Sequence, residues 1–391
     1  MKVLYANPIF LDYRLPFYEK LNELFKGEFY IMYSTNRYLN RYEHLLEEIP
    51  KVMGENAIPF NNELLFNTYE RSFKKYNIEK GKRIPFTHGL IRKIKRINPD
   101  ILITEGFYQW TPLIILYSIF FRKHVFMGYE RTPHTERNTG FLKKIHRKIT
   151  NKFISGYLVN VSETTKYLIS LGINPNKIFI GGMSADGKGI SDKIKLLSAK
   201  DIATFRSQYQ KNEGLLYLFS GRITEAKGVG YLLIAWNKHI EKHPKDVLVL
   251  IGYGDMYEHY FKKYSDVSSI YLLGKIDYHI IYKYYAIADV FILPTLQDNW
   301  SLVVPEAMAC GLPIATSIYN GCYPELVKED VNGITFDTYN QSSLLHALDY
   351  FHHKDLKELG QNSIELEKPF NTENCAQREY EAILDVINRR K

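Results

Sequence analysis

Two carboxylates eight positions apart, Asp298 and Glu306, bracket the run Asn299-Trp300-Ser301-Leu302-Val303-Val304-Pro305, which leads into Ala307-Met308-Ala309-Cys310-Gly311. Ionised carboxylates accept hydrogen bonds in pairs and suit hydroxyl groups, so this spacing points to sugar recognition. The run reads strand-like. Where it crosses from a loop into a helix, the first acid lies beside backbone N–H groups that, with the helix dipole, attract an anion. Acids beside a phosphate are consistent with binding the hydroxyls of a sugar and a ribose. Matching cations lie upstream, where the apolar residues 215–219 end in Ser220-Gly221-Arg222, followed by Lys227-Gly228 and a helix-like stretch at 231–236. Arg222 and Lys227 therefore leave the C-terminal end of a strand, the edge at which open parallel sheets bind ligands. Each close cation–phosphate pair contributes on the order of 4 kcal/mol at an effective dielectric near 20, and the pair also stabilises a departing diphosphate.

Other chemistries find no foothold. The chain has no Gly-x4-Gly-Lys-Ser/Thr loop and no Gly-x-Gly-x-x-Gly after its first strand, and Gly252-Tyr253-Gly254 alone reads equally as a tight turn. It has no Asp-x-Asp to hold a divalent metal on a nucleotide and no His/Cys set with zinc spacing, so metal-free chemistry is expected.

Strand-like and helix-like runs alternate along the chain, as a parallel sheet requires. Strands are expected at 2–6, 100–104, 125–129, 156–161 and 177–180, with helices at 17–24 and, capped by Ser162, at 163–170. The segment 181–189, rich in glycine and polar residues, reads as the hinge. A second series follows near 215–220, 247–251, 270–273, 290–293, 313–316 and 333–336. The tail 371–390 has helical apolar spacing. The expected domains are 1–185 together with a C-terminal helix at 371–391, and 186–370.

Gly221-Arg222 with Lys227-Gly228, the Gly252-Tyr253-Gly254 turn, Ala288-Asp289-Val290-Phe291-Ile292-Leu293-Pro294, the acid-x7-acid run and Glu306-Ala307-Met308-Ala309-Cys310-Gly311-Leu312-Pro313 occur in an ordered set. In order and spacing they resemble the retaining family 4 glycosyltransferases of the GT-B fold. The resemblance is strong over 214–338 and weaker in the first half, through Tyr13-Arg14-Leu15-Pro16-Phe17 and Val161-Ser162-Glu163-Thr164.

The resemblance implies an α/β fold of two doubly wound, Rossmann-like domains facing a cleft, with the C-terminal helix crossing back to the first domain. It implies transfer of a sugar from a UDP- or GDP-linked donor to an acceptor hydroxyl with retention, and no cofactor or metal. Arg222 and Lys227 would hold the diphosphate, and Asp298 would contact donor-sugar hydroxyls. The backbone of Asn299, Trp300, Ser301 and Leu302 would face the phosphate or sugar, Glu306 would grip the ribose, and Gly252, Gly254 and Lys275 complete the donor set. Asp298 is a departure, because the family usually has Glu there. A second departure lies in the first domain, where members often carry a histidine near a strand end. Here the strand at 125–129 runs into Glu130-Arg131-Thr132-Pro133-His134. Glu130 and His134 are expected to line the cleft, with Arg131 as an acceptor-phosphate ligand and Tyr13, Arg14 and Glu105 as further acceptor-side residues. The rival expectation is a decayed nucleotide-sugar binder or scaffold of the same fold.

With 45% hydrophobic and 24% charged residues, the composition is that of a globular enzyme rather than a disordered chain. Cys310, Cys322 and Cys375 are odd in number and lack metal spacing, which favours a reducing compartment, the cytoplasm. The N-terminus reads as a strand rather than an export signal. The apolar stretch at 111–121 falls short of the roughly 20 residues a membrane span needs and reads as a buried helix. Charge is uneven: residues 1–180 hold 28 Lys+Arg against 16 Asp+Glu, and the remainder 23 against 27. Clusters at Lys80-Gly81-Lys82-Arg83, Arg92-Lys93-Ile94-Lys95-Arg96 and Lys143-Lys144 with Arg147-Lys148 could meet an anionic membrane surface, or be solvated helix faces. Nucleic acid is not an expected partner; a carbohydrate or lipid-linked carbohydrate acceptor is.

Overall fold

The computed structural model describes residues 1–10, 12–37, 43–66, 82–209 and 213–389. The chain divides into two units, Met1–Ser184 with Thr372–Lys391, and Ala185–Asn371.

The first unit contains strands β1 (Val3–Ala6), β2 (Phe29–Ser34), β3 (Ala57–Phe60), β4 (Glu63–Phe66), β5 (Lys82–Thr87), β6 (Ile101–Glu105), β7 (His124–Tyr129), β8 (Gly156–Val159) and β9 (Ile178–Ile180). Seven form a parallel sheet in the order β3-β2-β1-β6-β7-β8-β9, while β4 and β5 make an antiparallel pair. Every residue of β1 is buried, as helices on both faces of a parallel sheet require. Trp110, Ile114, Leu90, Ile94 and Leu168 share one core cluster with the sheet. The C-terminal helix Thr372–Asn388 packs on the helix Leu15–Leu24, with the Phe25 and Tyr380 rings edge-to-face at 4.9 Å. Arg378 ties this helix to the Gly181 carbonyl at 2.7 Å. The tail thus returns to the first unit.

The second unit holds β10 (Leu216–Ser220), β11 (Val247–Ile251), β12 (Ile270–Gly274), β13 (Val290–Leu293), β14 (Ile314–Ser317) and β15 (Gly333–Phe336), all parallel, in the order β12-β11-β10-β13-β14-β15. Winding reverses between β10 and β13, so the loops leaving these two strands flank the topological switch point, where open α/β sheets bind ligands. Asp289, just before β13, accepts the Leu216 N–H at 2.7 Å and pairs with Arg206, fixing the two central strands at their N-terminal ends.

Several expectations need correction. The boundary between the units, Ser184/Ala185, falls inside the expected hinge 181–189, but Gly187 and Gly189 belong to the helix Gly187–Lys195, capped by Asp186, whose carboxylate accepts the Gly189 N–H at 3.1 Å. Glycine is needed there because a Cβ on Gly187 would lie 2.6 Å from that of Ala309. The helix Thr111–Phe121 is buried on one side only, with Phe120 74% exposed. Ser162 opens its helix rather than capping it. Strands β2 and β3 and the β4–β5 pair were not anticipated; β3 is four residues long and contains Pro59, which leaves little pattern to read. Of the basic clusters, Lys80 and Gly81 lie outside the described residues, and Arg92, Lys95 and Arg96 are exposed on the helix Leu90–Ile97. The three cysteines are free. No helix among the described residues is long and apolar enough to cross a membrane.

Candidate functional site

At the carboxyl end of the second sheet, glycines let three loops touch backbone to backbone. Gly252 has φ +137°, and a Cβ there would lie 1.7 Å from the Gly221 carbonyl oxygen; one on Gly254 would lie 2.3 Å from that of Ile223. This close approach, rather than a simple tight turn, is what the Gly252-x-Gly254 pair provides. The loop leaving β10 also meets the loop leaving β13. Gly228 has φ +66° and no room for a Cβ against the Pro294 carbonyl, and the Ala226 carbonyl accepts both the Leu296 N–H at 2.8 Å and the Thr295 hydroxyl at 3.1 Å.

This stitching places Lys227 against Asp298. Its ammonium pairs with Asp298 Oδ2, and Ser301 Oγ donates to the same oxygen at 2.5 Å. Burial alone would raise the Asp298 pKa, but Lys227, then Ser301 and the Asn299 N–H, hold the carboxyl below its usual value. The helix Val303–Ala309 begins only after this point and has no side-chain cap, so Asp298 does not cap it and the run between the acids is loop and helix rather than strand. Glu306 is buried within that helix, accepting the Tyr278 hydroxyl at 3.1 Å and the Tyr285 hydroxyl at 3.0 Å. Trp300 is buried against the Phe370 ring at 5.6 Å, and its Nε1 and Asn299 Oδ1 are buried without a partner among the described residues. Leu302 is half-buried at the start of the helix. Arg222 and Lys275 are exposed at this sheet end, and Arg222 forms no ion pair among the described residues.

The first unit gathers a different set where β1, β6 and β7 end. Tyr5 donates to Glu105 at 2.6 Å, and Arg14 lies 3.8 Å from the same carboxylate. A cavity of about 350 Å³ is lined by Tyr13, Arg14, Arg37, Glu105, Tyr108 and Glu130. A second, of about 480 Å³, shares Glu105, Tyr108 and Glu130 and adds Arg131, Glu136 and Arg147. Burial, only partly opposed by Arg14, pushes the Tyr13 hydroxyl up to about 12. The structure therefore brings Tyr13, Arg14, Glu105, Glu130 and Arg131 to the walls of these cavities, whereas His134 lines neither.

Residues 201–365 match the family described as glycosyl transferases group 1. An uncharacterized glycosyltransferase of Methanocaldococcus jannaschii is 32% identical over 147 residues, 37% of this chain and 37% of the relative. The alpha-monoglucosyldiacylglycerol synthase of Acholeplasma laidlawii is 25% identical over 63% of each chain. The chain thus spans little over a third of the length of the first relative. The crystal structure of Anabaena HepE in complex with UDP superimposes with a TM-score of 0.75 over 98% of this chain and 100% of that one, at 15% identity. The fold is GT-B.

The group 1 segment and the surrounding fold contain partners that sequence reasoning missed. Tyr278 and Tyr285 on Glu306 had no distinguishing signal. Tyr108, which lines both cavities of the first unit, and the buried Arg37–Glu63 pair, to which Trp110 Nε1 donates at 2.6 Å, likewise had none. Glu379 did have one: it falls three residues after Ala376 and four before Ile383, on the buried face of the C-terminal helix. Burial pushes its carboxyl up to about 8, with Arg14 opposing and Glu105 adding to the rise. At the opposite end of the second sheet, Asp246 Oδ2 accepts from His239 at 2.8 Å and from His352 at 2.7 Å, while its other oxygen takes the Leu215 N–H. These three side chains are the group that could hold a metal among the described residues, and they lie at the N-terminal ends of β10 and β11, away from the ends where Lys227 and Asp298 lie.

Proposed function

We propose that the protein is a glycosyltransferase that moves a sugar from a nucleoside-diphosphate sugar to an acceptor hydroxyl, with retention and without a metal, in surface polysaccharide or glycolipid assembly at the cytoplasmic side. The observation that carries this reading is the Lys227–Asp298–Ser301 group at the β10/β13 switch point of a group 1 segment. Lys227, with the exposed Arg222, would neutralise the diphosphate as the glycosidic bond breaks, and the departing phosphate oxygen would take the acceptor proton on the same face. No enzyme nucleophile is then required. Asp298 and Glu306 offer carboxylates for donor hydroxyls, and Tyr13, Glu105, Glu130 and Arg131 offer polar groups for an acceptor. The name of the HepE complex, which contains UDP, supports a uridine donor, and that of the A. laidlawii relative supports a lipid acceptor.

The test is release of nucleoside diphosphate from UDP- and GDP-sugars without acceptor. Slow hydrolysis of one donor, lost in Lys227→Ala, supports transfer. Tight donor binding with no turnover under any acceptor would instead mark a decayed binder.

A further inference from the structure

The helix Phe141–Asn151 turns its apolar side outward. Phe141 is 75% exposed, Leu142 80%, Ile145 38% and Ile149 55%, and Phe153, just past its end, 43%. Positions 141, 145 and 149 recur every four residues, and 142 and 153 flank them, so these side chains form one stripe. A soluble helix ordinarily buries such a stripe. Here the opposite side is the one that packs: Thr150 is buried, and Arg147 pairs with Glu136 at 2.7 Å and sits over the Phe107 ring at 5.4 Å. Lys144, Lys148 and Lys152 are exposed beside the apolar stripe, and Lys143 is exposed on the opposite side, with Arg147.

We infer that this helix docks on an anionic lipid bilayer, with Phe141, Leu142, Ile145, Ile149 and Phe153 entering the headgroup–acyl boundary. Charge decides between occupants. An apolar stripe rimmed by lysines on a half-chain with a large positive excess matches an interfacial helix, whose cations meet acidic headgroups while its rings and aliphatic chains leave water. The same helix contributes Lys143, His146 and Arg147 to the wall of the 480 Å³ cavity that also holds Glu130 and Arg131. One helix therefore joins the bilayer surface to the acceptor-side cavity. Resting on the transferase reading given above, this assigns the acceptor to the lipid-anchored class, its polar head entering the cavity from the plane of the membrane.

The experiment is co-sedimentation of the full chain with vesicles of phosphatidylcholine alone or with a third phosphatidylglycerol, comparing wild type with Phe141→Glu/Leu142→Glu. Both residues are exposed and line neither of the two cavities described above, so the melting temperature should stay unchanged. Wild type should bind the anionic vesicles, bind less as salt rises, and bind the neutral ones weakly. The double variant should lose binding by roughly tenfold or more. Equal binding of wild type and variant overturns the inference. So does a wild-type dimer that the double variant dissociates, because a second copy would then cover the stripe. Nucleotide-dependent thermal stabilisation, measured on the same samples, keeps the two readings separable: its loss with vesicle binding intact sinks the transferase reading alone, and the converse sinks only the membrane face.

Discussion

Lys227 and Asp298 hold each other at the reversal of strand order in the second sheet, and the shared oxygen, Asp298 Oδ2, also takes the Ser301 hydroxyl. The ammonium is thereby fixed in one place by two loops that are themselves bonded through the Ala226 carbonyl. A preset cation of this kind needs little reorganisation to meet developing negative charge.

Lys227→Ala should leave a largely buried carboxylate without its cation. Side-chain exposures of 15% and 20% place the pair between surface and interior. A loss of about 3 kcal/mol in unfolding free energy is expected, at the low end of what breaking a buried pair costs. Lys227→Ala/Asp298→Asn should recover part of it, and chemical denaturation of the four proteins of the cycle measures the coupling. Additive single effects would show that the pair contributes nothing.

The Asp298 carboxyl, held low in the folded state, contributes stability that is complete above the unfolded carboxylate value near 4 and is lost as pH falls through the lower folded value. Glu379 has the opposite sign. Its folded value of about 8 lies above that of the unfolded chain, so the folded state binds the extra proton, and stability declines as pH rises from about 4.5 towards 8. Glu379→Gln should therefore raise the melting temperature at pH 8 and change it little at pH 5. An increase of equal size at both values would contradict the assignment.

Gly252→Ala combines a φ of +137° with a Cβ 1.7 Å from a carbonyl oxygen. The loops of β10 and β11 cannot both keep their places, and a destabilisation of at least about 2 kcal/mol is expected, with weakened nucleotide binding. Thermal melts with and without nucleotide check both. A variant that melts like wild type would show that the loops part easily.

Tyr285→Phe should remove the hydroxyl from Glu306 Oε2 while keeping the ring. The expected loss is about 1–2 kcal/mol, read by denaturant titration, together with a raised KM for the donor if Glu306 meets the ribose. An unchanged KM with reduced stability would confine Glu306 to a structural role.

Much of this was legible in the residues. Strands β11 and β13 fall on the expected residues because they are short continuous apolar runs, and β15, Gly-Ile-Thr-Phe, because turn signals bound it on both sides. Arg222, Lys227 and Asp298 share one sheet end because they lie on the loops that leave β10 and β13. What was hidden depends on contacts between distant segments. Nothing local announces that Tyr278 and Tyr285 occupy Glu306, that Lys227 rests on Asp298, or that the helix bearing Lys143 and Lys144 turns its apolar side outward. The glycines at 187 and 189 misled because flexibility was read where the cause was close packing, of Gly187 on Ala309 and of Gly189 on the Asp186 cap.

The most direct measurement is the thermal shift of wild type, Arg222→Ala and Lys227→Ala with UDP, GDP and their sugars. At a hundred times its dissociation constant, a ligand of the folded state adds about 2.7 kcal/mol. One nucleoside diphosphate and its sugar should raise the wild-type melting temperature, and that rise should vanish in Lys227→Ala and shrink in Arg222→Ala. A shift that survives both substitutions, or no shift with any nucleotide, would contradict the assignment of these cations to the diphosphate.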